Sequence, residues 1–206
     1  MIIEEINQRE QEEMTTELTP ETLPNQIRDV LAKSTCLFSR AQVDAALDKM
    51  AQEISERLAN KNPIFLCVVV GGIVPLGNLL PRLDFPLEVD YIHATRYQRK
   101  TTGKELIWKM VPDCSLKNRT IVIVDDILDG GITMAEIIEF CKTRGASEVL
   151  TACLVEKDNA RLPEGLPQAD FHGLRVDNHY VFGYGMDYKG YLRNAPGIYV
   201  VAPEHE

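Results

Sequence analysis

Residues Ile121–Thr133 read IVIVDDILDGGIT, and this stretch decides the fold. Four successive β-branched apolar residues, Ile121 to Val124, suit a strand covered on both faces. Asp125 and Asp126 stand at its C-terminal end and Asp129 follows. Gly130-Gly131 then lead through Ile132 to Thr133 and the helical-period run MAEIIEFCKTRG. In an open α/β sheet, ligands bind beyond the carboxyl ends of the strands, where loops meet helix N-termini. Glycines let backbone N–H groups close around an anion, and the first helical turn adds a favourable dipole. Two adjacent acids beside such a cradle suit hydroxyls and a metal ion. Taken alone, two acids after an apolar run suit the solvated end of a strand. Together with DGGIT they point to a phosphorylated ribose.

Outward from this centre, strand and helix patterns alternate. PIFLCVVVGG (63–72) is a buried strand ending in glycines, and a short helix follows over Pro75–Leu83. A second strand covers Pro86–Ala94, and ELIWKMV (105–111) is its hairpin partner. Glu148–Glu156 is another strand. A loop with Pro163, Gly165 and Pro167 and short strands near Ala169–Phe171, Tyr180–Phe182 and Ile198–Val201 complete the chain. Upstream, Thr19-Pro20-Glu21 is a helix start. Ser39 with Gln42 resembles a capping box before a helix whose buried stripe is Val43, Ala46, Leu47, Met50, Ala51, Ile54 and Leu58. Interleaved strands and helices predict an α/β fold with a mostly parallel central sheet flanked by helices. A small C-terminal hood and a flexible hairpin flap are expected beside it. Residues 1–62 are read as an N-terminal helical segment packed on a core of residues 63–206, in one domain overall.

Composition narrows the function. The chain has 206 residues, enough for a sizeable core, and a net charge of −9, which argues against general nucleic-acid binding or attraction to an anionic membrane. Five scattered cysteines, never in C-x-x-C spacing, read as reduced thiols in a cytoplasmic protein. Neither an N-terminal secretion signal nor a membrane-spanning apolar run is apparent. The first eighteen residues hold six glutamates and one arginine, and no chemistry is assigned to them.

The central stretch also resembles the phosphoribosyl-pyrophosphate motif of the type I phosphoribosyltransferases: an apolar run, two acids, two apolar residues, then Asp-Thr-Gly-x-Thr. Gly130 stands where that family usually has Thr. The resemblance implies that Asp125 and Asp126 hold the ribose hydroxyls, and that Gly130, Gly131, Ile132 and Thr133 cradle the 5′-phosphate. It implies that Asp129 takes a proton from N7 of a purine. Val70-Gly71 falls at the family's pyrophosphate loop, where a Lys or Arg usually precedes the glycine and a cis peptide occurs, so a cis Val70–Gly71 bond is one of two expectations here. A plain strand-end turn is the other.

Three further segments match in order. RYQRKTTG (96–103) is an ordinary hairpin tip by composition. By resemblance it is the flap that closes over the site, with Arg96 and Tyr97 meeting phosphate, and shielding the anomeric carbon from water is a physical need for such a lid. Lys157, at the end of LVEK, reads as a snorkelling surface lysine. By resemblance it donates to O6 of the base, which selects 6-oxopurines over adenine. YVFGYGMD (180–187) reads as a strand and turn, whereas by resemblance Tyr180 stacks on the purine and the Val181 backbone reads its Watson–Crick edge. On the same match Asp187 lies at the base and binds Mg²⁺, and Arg193 reaches pyrophosphate.

The resemblance thus implies a purine-salvage transferase that joins phosphoribosyl pyrophosphate to hypoxanthine or guanine, with Mg²⁺ as cofactor and a homodimer or homotetramer as the working form. A non-catalytic, nucleotide-sensing regulator of the same fold is the alternative, given Val70 and Gly130. An aspartyl-phosphate phosphatase is disfavoured by D-x-x-D spacing where D-x-D would be required.

Overall fold

The computed structural model describes residues 23–96 and 106–205. Helix α1 (Leu23–Lys33) leads into strand β1 (Thr35–Phe38) and helix α2 (Arg40–Leu58). Strand β2 (Ile64–Val68), helix α3 (Ile73–Leu79) with a 3₁₀ turn (Leu80–Arg82), β3 (Glu88–Arg96) and β4 (Leu106–Met110) follow. Then come β5 (Thr120–Leu128), α4 (Ile132–Thr143), β6 (Glu148–Lys157), β7 (Phe171–Val176), β8 (Val181–Phe182), β9 (Ile198–Val200) and a last 3₁₀ turn (Pro203–His205). The helix start expected at Thr19–Glu21, and Tyr97 with the rest of the expected flap, lie outside the described residues.

Six strands form the main sheet in the order β4-β3-β2-β5-β6-β7. Every pairing in it is parallel except β3 with β4, the hairpin expected from ELIWKMV. The sheet is covered on both faces, and for that reason β2 and the first five residues of β5 are buried throughout. Phe65, Cys67, Val122 and Val124 turn toward α2 and α3. Ile64, Leu66, Ile121 and Ile123 turn the other way, toward α4. All seven residues of the predicted α2 stripe are buried. Gln42 Oε1 accepts from the Ser39 backbone N–H at 2.9 Å and from its hydroxyl at 2.8 Å, which fixes the start of α2.

A second, three-stranded antiparallel sheet has the order β1-β9-β8. This corrects the expectation of a purely C-terminal hood. Thr35 and Cys36 pair with Val200 and Tyr199, so the N-terminal segment supplies an edge strand of the hood. Phe182, fully buried, stacks on Tyr199 at 5.4 Å between ring centroids and packs with Val30 of α1.

Candidate active site

Strand β5 sits in the middle of the sheet and delivers its acids to the carboxyl edge. Asp125 and Asp126 each turn a side-chain oxygen onto the next backbone N–H: Asp126 N–H donates to Asp125 Oδ1 at 2.9 Å, and Ile127 N–H to Asp126 Oδ1 at 2.8 Å. Burial pushes the Asp125 carboxyl well above the usual carboxylate range, and the adjacent Asp126 adds to this. Burial also raises Asp126, with its hydrogen bonds and Arg193 opposing. Hydroxyl donors or a cation placed against the pair would relieve that penalty. The acids act on their neighbours too: burial, with the charges of Asp125 and Asp126, pushes the Cys67 thiol up to about 12. Cys67 is therefore an inert packing residue and no nucleophile.

Beyond β5, Gly131 caps α4 with φ = 80°, a left-handed conformation that favours glycine. Among the described residues, the backbone N–H groups of Gly130, Gly131, Ile132 and Thr133 donate to no protein acceptor. These residues line a cleft of about 580 Å³ together with Asp125, Asp126 and Asp129. Unpartnered N–H groups at the start of a twelve-residue helix form an anion cradle. A Cβ placed at Gly130 would stand 3.2 Å from Leu162 Cδ1, so a side chain there requires the exposed Leu162 to give way by a few tenths of an ångström.

The cleft also brings together groups that are distant in sequence. Lys157 Nζ, at the end of β6, lies 3.1 Å from Asp129 Oδ2. Arg193 Nη2 lies 2.7 Å from Asp187 Oδ1, and its Nη1 is 3.8 Å from Asp126 Oδ2 and donates to the Gly185 carbonyl at 2.6 Å. Gly190 N–H donates to Asp187 Oδ2 at 2.6 Å. Tyr180 and Val181 complete the same wall, with Tyr180 left 40% exposed. Gly71 fits so closely that a Cβ there would fall 2.2 Å from Asp126 Oδ2.

Two expected features differ. The cis peptide is Val69–Val70, one residue before the expected Val70–Gly71. Val70 is half exposed and lies off the cleft lining, while Val69 and Gly71 contribute to it. Arg96 closes β3, and Tyr97 falls outside the described residues.

No group of three or more metal-ligating side chains occurs among the described residues. Asp187, with one oxygen toward Arg193 and the other on a backbone N–H, offers a single carboxylate at the cleft. A lone carboxylate fits the expected Mg²⁺, which keeps several waters and needs only one or two carboxylates. The sequence reading missed Glu156 and Arg161. Glu156 could have been noticed as an acid inside the apolar strand EVLTACLVEK, where a charge demands a partner. Arg161, in a Pro- and Gly-rich loop, carried no such signal.

Residues 39–189 match the family described as "Phosphoribosyl transferase domain". The chain is 32% identical over 163 residues to the hypoxanthine-guanine-xanthine phosphoribosyltransferase of Tritrichomonas foetus, covering 79% of this chain and 88% of that one. It is 31% identical over 183 residues to the hypoxanthine-guanine phosphoribosyltransferase of Streptococcus pneumoniae, covering 88% and 97% respectively. The fold superposes on a hypoxanthine phosphoribosyltransferase from Staphylococcus aureus with a TM-score of 0.77 at 23% identity, over 82% of this chain and 92% of that one. With a strand-to-helix anion cradle, paired acids behind it and this extent of match, the chain belongs to the phosphoribosyl transferase family.

Proposed function

We propose that this protein is a purine-salvage enzyme that transfers phosphoribosyl from phosphoribosyl pyrophosphate to hypoxanthine or guanine, giving IMP or GMP and pyrophosphate. The observation that carries the base class is the Lys157–Asp129 pair, 3.1 Å apart in a cleft that also holds Tyr180. A lysine donor meets the carbonyl of a 6-oxopurine and has nothing to accept its proton on the amino group of adenine. The named relatives from T. foetus and S. pneumoniae support the same substrate class.

In this reading the N–H groups of Gly130 to Thr133 hold the 5′-phosphate, and Asp125 and Asp126 accept hydrogen bonds from the ribose hydroxyls. Tyr180 stacks on the base, and the Val181 backbone meets its Watson–Crick edge. As N9 forms its bond to the anomeric carbon, the bond from that carbon to pyrophosphate breaks. The proton leaving N7 passes to the Asp129 carboxylate. Lys157 draws charge toward O6 and keeps Asp129 oriented. Gly71 and Arg193 receive the departing pyrophosphate through a backbone N–H and a guanidinium. Asp187 would hold Mg²⁺, which when bound neutralises the leaving pyrophosphate.

We place the enzyme in the cytoplasm, a reading supported by five free cysteines. Among the described residues no helix is long and apolar enough to cross a membrane. A homodimer or homotetramer is the proposed working form. Val89, Tyr91, Ile107 and Met110 leave an apolar area exposed along β3 and β4, which favours self-association. The second reading, a regulator that binds nucleotide without turning it over, rests on Val70 and Gly130 standing where a cation and a hydroxyl are usual in the family. Mg²⁺-dependent release of pyrophosphate on mixing phosphoribosyl pyrophosphate with hypoxanthine separates the two. Release only when the base is present supports the enzyme, and nucleotide binding with no release supports the regulator.

A further inference from the structure

The loop between β6 and β7 packs behind the turn after β5, on the side away from the cleft, yet the proposed reaction gives it no part. It grips the turn after β5 at four successive residues. Arg161 Nη1 donates to the Leu128 carbonyl at 2.8 Å and also to the Asp129 carbonyl. Leu162 N–H donates to the Gly130 carbonyl at 3.1 Å, and Leu166 N–H to the Gly131 carbonyl at 3.0 Å. A Cβ on Gly165 would fall 2.0 Å from the Gly130 oxygen, so the two backbones meet with no room for a side chain.

This grip has a consequence for the opposite side of the turn. A trans peptide plane carries its C=O and the following N–H in opposite directions. Holding the carbonyls of residues 128 to 131 toward the loop turns the N–H groups of the residues that follow toward the cleft. Those of Gly130, Gly131 and Ile132 are among the groups that donate to no acceptor in the described protein. Outward carbonyls also keep their partial negative charge away from an incoming phosphate.

Arg161 is itself held in place. Its Nη2 lies 3.1 Å from Oε1 of Glu156, a carboxylate only 2% exposed, and its Nε donates to the Pro167 carbonyl at 3.1 Å. One planar guanidinium therefore ties the end of β5, its own loop and the residue next to Lys157 in β6. A lysine, with a single nitrogen, has no comparable fork.

We propose that Arg161, seated on Glu156, is a positioning residue that presets the phosphate-binding turn by holding the Leu128 and Asp129 carbonyls away from the cleft. The proposal rests on the phosphoribosyl reading of the cleft. It predicts that losing the Arg161 fork impairs recognition of the phosphoribosyl substrate and spares recognition of the base.

The test uses the full chain with Mg²⁺, in wild type, Arg161→Lys and the double variant Arg161→Met/Glu156→Leu. Arg161→Lys keeps a cation opposite Glu156, and the double variant removes both charges so that no buried carboxylate is left unpaired. The expected result is a KM for phosphoribosyl pyrophosphate raised about tenfold or more in both variants. The KM for hypoxanthine stays within about twofold, and the thermal midpoint of Arg161→Lys stays close to wild type. An unchanged KM for phosphoribosyl pyrophosphate in Arg161→Lys overturns the proposal, whatever the stability of the double variant. A rise in KM for substrate and base alike also overturns it, since general loosening explains that. A wild type that forms no nucleotide from any base overturns the phosphoribosyl reading itself and this inference with it, whereas an active wild type with unaltered variants defeats the inference alone.

Discussion

Asp129 and Lys157 meet at 3.1 Å although 28 residues separate them, because β5 and β6 are parallel neighbours that end at the same edge. Lys157 is largely covered and Asp129 is half exposed, so the lysine is fixed by its surroundings and the carboxylate faces the cleft. The pair sets an acceptor and a donor side by side at the cleft, where the proposed function puts the purine edge.

Replacing Asp129 by Asn removes the proposed proton acceptor and keeps the size of the side chain. Steady-state turnover should fall by about 10²–10⁴-fold, the range for a lost general base. Affinity for phosphoribosyl pyrophosphate should change little. Retention of full turnover would remove Asp129 from the reaction.

Lys157→Met tests base selection. Catalytic efficiency with hypoxanthine should drop by roughly five- to 150-fold, equivalent to about 1–3 kcal/mol for a buried acceptor left unpaired. Discrimination against adenine should narrow at the same time. Efficiency ratios for the two bases, measured side by side, check this, and an unaltered ratio would assign the lysine to packing alone.

Gly131 and Gly77 differ in what an added side chain would meet. Gly131 has φ = 80° and a Cβ there would stand 2.6 Å from the Leu166 carbonyl oxygen. Gly131→Ala should cost about 1–3 kcal/mol in urea unfolding. Gly77, inside α3, has nothing within 4 Å of a Cβ, so Gly77→Ala should be neutral or stabilising by up to about 1 kcal/mol. Equal effects at the two positions would contradict the reading of the Gly131 turn.

Acidification probes the ion pair at the start of β6. Lys61 Nζ lies 2.7 Å from Glu148 Oε2, and this hydrogen bond holds the Glu148 carboxyl below its usual range, with Arg57 assisting. A depressed folded-state value means that the stabilisation is fully present above the unfolded value of about 4.3 and disappears as pH falls through the folded one. Glu148→Gln should therefore lower the thermal midpoint at neutral pH, by less than about 1 kcal/mol in stability for so accessible a pair. The gap between the two proteins should close in acid below the folded value. A gap that widens on acidification would contradict the assignment.

Much of this architecture was legible because the decisive residues obey simple periodicities. The apolar run Ile121–Val124 of β5 and the α2 stripe from Val43 to Leu58 each follow one rule and lie where those rules put them, although β5 continues beyond Asp125-Asp126 to Leu128. Strand β1 was not legible: Thr35–Phe38 is four residues long and sits between two helices. Only its pairing with β9, more than 160 residues downstream, makes it a strand. The cis bond at Val69–Val70 lay one residue from its expected place, since nothing in a run of three valines marks which peptide is cis. Arg161 escaped notice because its partners are mostly backbone carbonyls, which have no sequence signature.

The most direct test of the central claim is nucleotide formation from phosphoribosyl pyrophosphate and Mg²⁺, with hypoxanthine, guanine, xanthine, adenine and orotate offered in parallel. The account predicts product from hypoxanthine and guanine and none from adenine or orotate. Product from adenine at a comparable rate, or no product from any of the five, would contradict it.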